Sequence, residues 1–249
     1  MYTLKKSLGQ HFLKDENICR KIVDSLPVIP GQQIVEVGPG AGAITKYLLE
    51  IPDVHFKAVE LDAEKVQYLE KTYPAIQGKI IHESILDTPV PYEGQFSVIG
   101  NFPYNISSQI MFRILEWKQQ VPTVVGMFQK EVAQRIAATK GKEYGILSVL
   151  IQAYYRVEYL FEVHENCFNP PPKVKSAVIR LHRLDQPYDI ASDRKFFVLV
   201  KTAFGQRRKQ LRNPLKPLFN KEYLQDSIFN KRAEELSIAD FAALSHKMI

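Results

Sequence analysis

Short apolar runs recur along the first two-thirds of the chain. The stretches between them return to an apolar residue every three or four positions. Gln33–Val37, His55–Glu60, Lys79–His82, Phe96–Gly100 and Thr123–Phe128 read as buried parallel strands, because near-continuous apolar runs suit a sheet covered on both faces. Ala43–Glu50, Ala63–Tyr73 and Ser107–Glu116 carry the period of amphipathic helices. The alternation is a βαβ series and predicts an α/β fold with an open, doubly wound sheet. Two later runs, Tyr155–Val163 and Ser176–His182, flank the proline-rich Asn169–Lys173 and are expected to close one edge of the sheet as a hairpin-like pair. The texture changes near Asp185. Arg194–Phe204, Lys221–Asn230 and Ile238–Lys247 read as helices, with no strand of comparable quality among them. A boundary is therefore expected near residues 184–191, giving domains 1–187 and 188–249. No internal repeat or low-complexity tract interrupts this pattern.

Composition narrows the setting. A chain of 249 residues with 45 % apolar and 24 % charged residues can bury a core without staples and is long enough for one α/β domain plus an appendage. Its two cysteines, Cys19 and Cys167, make no disulfide framework, which points to reduced cytosol. MYTLKKSLGQHFLKD lacks the apolar core of a signal peptide, and no uninterrupted apolar stretch reaches the ~18 residues of a membrane span. The net charge of +6 favours a polyanionic partner. That charge is concentrated. Arg194, Lys195, Lys201, Arg207, Arg208, Lys209, Arg212 and Lys216 follow one another without an Asp or Glu between them. A solvated helix face is the ordinary explanation of such a run. Eight cations without a counter-charge point instead to phosphate contact. Lys5, Lys6 and Lys14 form a second, weaker patch.

In open α/β sheets ligands bind beyond the carboxyl ends of the strands. The first strand ends in Glu36-Val37-Gly38-Pro39-Gly40-Ala41-Gly42, the second in Glu60-Leu61-Asp62. The third runs into Glu83-Ser84-Ile85-Leu86-Asp87, the fourth into Asn101-Phe102-Pro103-Tyr104-Asn105. Glycines at Gly38 and Gly40 allow close approach of backbone to ligand. Glu60, 20 residues beyond Gly40, can take two ribose hydroxyls. The spacing Gly38-x-Gly40-x-x-Ala43 fits a dinucleotide fingerprint equally well, so the loop alone leaves the cofactor open. Asn101–Tyr104 separates the alternatives. A dehydrogenase has no evident use for it, whereas transfer to an aromatic amine does. The lone pair of such an amine is delocalised into the ring. The Asn101 amide oxygen and the Phe102 carbonyl can accept its two hydrogens, aim the lone pair and stabilise charge growing on nitrogen. Pro103 stiffens the turn, and Tyr104 can stack on the base. The histidines and cysteines show no metal-ligand spacing, and no Ser-His-Asp or Cys-His arrangement is present. An activated methyl donor needs neither.

These residues carry a family resemblance. The motifs are Ser7-Leu8-Gly9-Gln10-His11-Phe12-Leu13, Val35–Gly40, Val59–Asp62, Gly100–Ser107, Phe128–Val132, Phe168–Val174 and Phe204–Lys209. Together they resemble the ribosomal RNA adenine N6,N6-dimethyltransferases, most closely the small-subunit type, over nearly the whole chain. The resemblance implies a Rossmann-type domain that binds S-adenosylmethionine, with no metal, followed by a small helical domain. It implies cofactor contacts from His11, Leu13, Gly38, Gly40, Glu60, Ser84 and Asn101. It also implies a catalytic set of Asn101, Tyr104 and Phe168, with Phe168 stacking on the base opposite Tyr104. Arg207, Arg208, Lys209 and Arg212 are the expected RNA contacts. The implied reaction is dimethylation of two adjacent adenosines in the 3′-terminal hairpin loop of 16S rRNA, coupled to biogenesis of the small subunit. The implied setting is a cytoplasmic monomer acting on immature subunits. Two positions depart from the family pattern: His11 stands where Asn is usual, and Ser84 where an acidic residue is usual. Two other functions compete, a large-subunit rRNA methyltransferase of the antibiotic-resistance type and an assembly factor with little turnover. The Phe204–Asn213 segment favours the small-subunit enzyme over the first, and the intact Asn101–Tyr104 turn argues against the second.

Overall fold

All five early apolar runs form strands. The computed structural model describes residues 11–249. Its first elements are β1 (Phe12–Leu13), α1 (Glu16–Asp24), β2 (Gln32–Val37), α2 (Thr45–Leu48), β3 (Val54–Val59), α3 (Ala63–Thr72) and β4 (Ile80–Ile81). Then come β5 (Phe96–Asn101), α4 (Ser107–Glu116), β6 (Thr123–Gln129), α5 (Lys130–Ala137) and α6 (Ile146–Gln152). The chain closes with β7 (Tyr155–Val163), β8 (Phe168–Asn169), β9 (Ser176–Arg183), α7 (Asp193–Gly205) and α8 (Ile238–Ser245).

Seven strands form the main sheet, in the order β4-β3-β2-β5-β6-β9-β7. The first five are parallel, and β9 runs antiparallel to β6 from Thr123↔His182 to Gln129↔Ser176. The chain winds outward from β2 to β4, then returns to β5 beside β2. The switch point between β2 and β5 is where such sheets hold ligands. Ile34, Val35, Val98, Ile99, Val124 and Val125 are fully buried there. Each contributes roughly 1.5–3 kcal/mol by leaving water. The expected hairpin-like pair does close an edge, with β9 against β6 and β7 outermost.

Three local outcomes differ from the sequence pattern. The helix expected over Ala43–Glu50 shrinks to α2, because the turn that leaves β2 continues through Ile44. Lys221–Asn230 splits into two 3-10 turns, Tyr223–Gln225 and Ser227–Asn230; Asp226 is extended between them and its carboxylate caps the second. Helices α5 and α6 were not expected, and neither was α1. The Asp15 carboxylate accepts the Asn17 and Ile18 N–H groups and starts it, while Cys19, Ile22 and Val23 face the core.

The chain divides into two units. One comprises the residues up to Ala133 with Val157–Arg183, the other Gln134–Arg156 with Leu184–Ile249. The sequence pattern placed a single cut after residue 187, and 134–156 lie on the far side of it. Within the second unit α6 packs on α7, the Tyr144 ring meets Phe204 edge-on at 6.1 Å, and the Tyr154 hydroxyl donates to Asp193. Those contacts join segments distant in sequence, which no linear change of texture reveals. No helix of the described residues is long and apolar enough to cross a membrane.

Candidate active site

The carboxyl ends of β2, β3, β4 and β5 open on one cavity of about 670 Å³. After β2 the backbone takes φ values of 68° at Gly38 and 60° at Gly40, a region that favours glycine. The loop therefore presents main chain to the cavity. Its neighbours are the Phe12 ring beside Gly40 and Pro103 beside Gly38.

Glu60 follows β3 and is 6 % exposed. The Asp62 N–H donates to its Oε1 at 2.9 Å and the Gly40 N–H to its Oε2 at 3.3 Å. Lys65 Nζ, on α3, lies 4.0 Å from Oε2. Two backbone donors thus fix the carboxylate while lone pairs remain for a ligand. Beyond β4 the Leu86 N–H donates to Ser84 Oγ at 3.2 Å, and the Thr88 hydroxyl donates to the Ser84 carbonyl at 2.7 Å. Ser84 is therefore part of a self-bonded turn on the cavity wall. Glu83 is on that wall and Asp87 is not.

Asn101 ends β5, and Phe102–Tyr104 continue the wall. The Phe102 N–H donates to the Met127 carbonyl at 3.2 Å. Its ring is buried edge-on against Phe128 at 5.1 Å. The turn is therefore anchored by its second residue, with Asn101 and Tyr104 on the cavity wall to either side of it. The Tyr104 hydroxyl is 2.6 Å from Ser176 Oγ; burial pushes the phenol up, and the Ser176 bond works against the rise. The His11 ring stacks on Tyr104 with centroids 5.7 Å apart. His11 Nδ1 lies 2.8 Å from the Pro170 carbonyl. A carbonyl only accepts, so Nδ1 carries a proton.

His11, Leu13, Gly38, Gly40, Glu60, Ser84, Asn101 and Tyr104 all line this cavity. Phe168 does not. It is fully buried and belongs to the core cluster with Leu13, Val163 and Val178. Strand β8 pairs antiparallel with β1, Leu13 opposite Phe168 and Phe12 opposite Asn169, and the ring is in the core. Lys5, Lys6 and Ser7–Gln10 lie outside the described residues.

The sequence reading passed over two wall residues. Glu36 is 1 % exposed, and neither of its oxygens has a hydrogen-bond partner; nor does Thr45 Oγ1. Burial pushes its carboxyl up to about 8, the nearby Thr45 hydroxyl works against the rise, and the Glu60 charge adds to it. A carboxylate inside the apolar run Ile34-Val35-Glu36-Val37 was the available signal. Lys65 had none, because a lysine on an amphipathic helix reads as solvated.

The basic segment belongs to the second unit. Arg207 Nε donates to Glu234 Oε2 at 2.5 Å and its NH2 to the Gly141 carbonyl at 2.9 Å. Arg212 donates to the Asn230 side chain at 2.9 Å, and Lys195 to the Met248 carbonyl at 3.0 Å. Arg208 and Lys209 are exposed. No cluster of three or more metal-ligating side chains occurs among the described residues.

The family described as "Ribosomal RNA adenine dimethylase" matches residues 1–248. The chain is 53 % identical to "Ribosomal RNA small subunit methyltransferase A" of Flavobacterium johnsoniae, across 98 % of this chain and 95 % of that protein. It is 51 % identical to the protein of the same name in Parabacteroides distasonis, across 97 % and 92 %. In fold it resembles a solved dimethyladenosine transferase from Plasmodium falciparum, with a TM-score of 0.80 at 23 % identity over 93 % of this chain and 94 % of that one. It also resembles the 23S rRNA methyltransferase ErmE, with a TM-score of 0.73 at 20 % identity over 95 % and 99 %.

Proposed function

The chain belongs to the ribosomal RNA adenine dimethylase family, and from that premise we propose that it dimethylates N6 of two adjacent adenosines in the 3′-terminal hairpin loop of 16S rRNA. The observation that carries this reading is the joining of two half-sites in one cavity. The glycine loop with Glu60 is one half, and the Asn101–Tyr104 turn is the other. A nucleoside cofactor and a flipped base would then meet at the mouth of β5.

The wall fits S-adenosylmethionine. Glu60, fixed by two backbone N–H groups, offers acceptors for ribose hydroxyls. Exposed Leu61 and the edge of Ile85 offer apolar surface to a purine. Glu36, on the same wall, offers two buried oxygens without partners to a cationic ligand. When bound, this cofactor supplies a methyl group already activated on sulfonium sulfur.

The chain's own groups then have separate tasks. Asn101 Oδ1 and the Phe102 carbonyl accept the amine hydrogens and aim the nitrogen lone pair. They also stabilise positive charge that grows only in the transition state. Tyr104, held by Ser176, supplies a face for the base. The base must leave its stack to reach it. Arg208 and Lys209 are the RNA contacts this reading favours, because Arg207 and Arg212 already have protein partners. The enzyme would act as a cytoplasmic monomer on immature small subunits.

Mass-spectrometric mapping of dimethyladenosine in 16S and 23S rRNA, with and without the protein, tests the proposal. Paired dimethyladenosines near the 16S 3′ end that appear only with the protein support it. Modification confined to 23S rRNA would overturn it in favour of the large-subunit activity.

A further inference from the structure

The Asn101–Tyr104 turn has a neighbour that the proposed reaction leaves without a task. Residues 170–175 link β8 to β9 with the sequence Pro-Pro-Pro-Lys-Val-Lys. Both ends of this loop are tied to the surroundings of Tyr104. At its start the Pro170 carbonyl is 2.8 Å from His11 Nδ1, and the His11 ring stacks on Tyr104. At its end Ser176, the first residue of β9, meets the Tyr104 hydroxyl at 2.6 Å. The Lys130 N–H, where β6 passes into α5, donates to the Lys175 carbonyl at 2.9 Å. Three successive prolines fix their φ angles, and Pro172 is buried while its neighbours on both sides are exposed. The loop is thus stiff, pinned at both ends and turned outward.

It presents one apolar side chain between two cations. Val174 is 46 % exposed, and Lys173 and Lys175 are exposed on either side of it. A lone exposed valine is ordinary on a protein surface. This one stands two residues from the serine that holds Tyr104. Its backbone therefore lies within ~7 Å of Ser176, about two base steps at ~3.4 Å each. None of residues 170–175 lines the cavity. An RNA strand that delivers a base to Tyr104 also stays outside, because only the flipped nucleotide enters. Lys173 has no hydrogen bond or ion pair among the described residues. Lys175 shares the charge of Glu162 with Lys130, which pairs with that carboxylate at 2.7 Å.

We propose that Val174 is a wedge: it enters the gap that the target adenosine leaves in its stack, while Lys173 takes a phosphate beside that gap. The inference rests on the proposed base site at Tyr104 and adds the element that holds the RNA open. Base faces are apolar, so an aliphatic side chain can fill an unstacked step without owing a hydrogen bond. A neighbouring cation fixes the strand by its backbone and carries no sequence information. Val174 is then a positioning residue. It meets the neighbours of the target and not the reacting atoms.

Photocrosslinking to purified small and large ribosomal subunits that lack the modification tests this, with p-benzoylphenylalanine in place of Val174. The crosslink, mapped by reverse transcription, should fall within about two nucleotides of whichever adenosine the wild-type protein methylates. Crosslinks only elsewhere, only to ribosomal protein, or none at all overturn the inference. Val174→Ala should slow single-turnover methylation at saturating subunits ~10-fold or more, with melting temperature and S-adenosylmethionine affinity unchanged. Val174→Leu keeps an apolar wedge and should restore most of the rate. Unchanged turnover in Val174→Ala, an equal loss in Val174→Leu, or a rate loss matched by a fall in melting temperature overturns the wedge. Lys173→Gln should lower the slope of log affinity against log salt by ~0.7, the value for one phosphate on a single strand; an unchanged slope removes this lysine from the RNA. Methylation of neither subunit by the wild-type protein would overturn the proposed function itself. Methylation with a crosslink far from the modified adenosine overturns the wedge alone.

Discussion

The Glu60 carboxylate and the paired cations of Arg194–Lys216 are held in opposite ways. Glu60 is fixed by the N–H groups of Gly40 and Asp62, in the turns that end β2 and β3. Its orientation comes with the strand end, and lone pairs are left over for a ligand. The cations are held by groups remote in sequence: Arg207 by Glu234 and Gly141, Arg212 by Asn230, Lys195 by Met248. Such bonds use up donors. A carboxylate at a strand end therefore signals function more reliably than a cation in an irregular segment. Five experiments can break or sharpen this contrast.

The largest effect is expected at Phe168, which the cavity does not claim. Phe168→Ala should destabilise the fold by about 3–5 kcal/mol, as loss of a buried ring does. Phe168→Leu should melt lower in denaturant yet keep its turnover while folded. A hundredfold loss of turnover in a well-folded Phe168→Leu would return this ring to the substrate. Next, Asn101→Ala should lower single-turnover methylation at saturating rRNA by ~10²–10³, with little change in cofactor affinity. Near-normal turnover would remove the amide from the transition state.

Glu36→Gln tests the buried half of the cavity without any ligand. A carboxyl raised to about 8 in the fold binds a proton that the unfolded chain has already lost above its ordinary value. Native stability therefore falls as pH rises from ~4.5 toward 8. Glutamine does not titrate, so the variant's advantage should grow over that range, to roughly 4 kcal/mol by pH 8. Urea melts at pH 5 and pH 8 measure it, and a constant difference would show that Glu36 is ionised in the empty protein. Glu60→Ala should weaken S-adenosylmethionine binding ~10–100-fold, the worth of a charge-assisted hydrogen bond, and leave RNA binding nearly intact.

The smallest effects separate the cations. Arg208→Gln with Lys209→Gln should lower the slope of log RNA affinity against log salt by ~0.7–0.9 per charge, at constant melting temperature. Arg207→Gln should do the reverse. It should cost less than about 1 kcal/mol of stability, because the pair with Glu234 is about a third exposed, and leave the slope unchanged. A slope change in Arg207→Gln alone would show that the ion pair opens to RNA.

Most of the sheet and most of the cavity wall were legible in the sequence, for a shared reason. Apolar runs such as Val124–Phe128 report burial on both faces directly, and in a parallel sheet every strand end lies at the same edge. Knowing the strands thus places Gly38, Glu60, Ser84 and Asn101 together. What stayed hidden depends on partners distant in sequence. The family resemblance makes Phe168 a stacking ring, whereas beside the prolines it reads as filler, and in the fold it is buried where β8 pairs with β1. Arg207 reads as a free cation until Glu234 is brought beside it. Lys65 becomes a cavity residue only when α3 leans over Glu60. The grouping of residues 134–156 with the C-terminal unit is hidden in the same way, since it rests on Tyr144–Phe204 and Tyr154–Asp193 contacts.

The β1–β8 pairing also sets a timetable for synthesis. Phe12 and Leu13 leave the ribosome more than 150 residues ahead of Phe168 and Asn169, which fix them. Until β9 follows, the outer edge of β6 is an open row of unpaired peptide groups, the kind of edge that invites wrong partners. At ~5–20 residues per second, this exposed interval lasts on the order of several seconds. A nascent chain halted before Ser176 has its glycine loop and its Asn101 turn, but not the hydroxyl that meets Tyr104. The turn is therefore pinned at its far end only once the strand that closes the sheet has emerged.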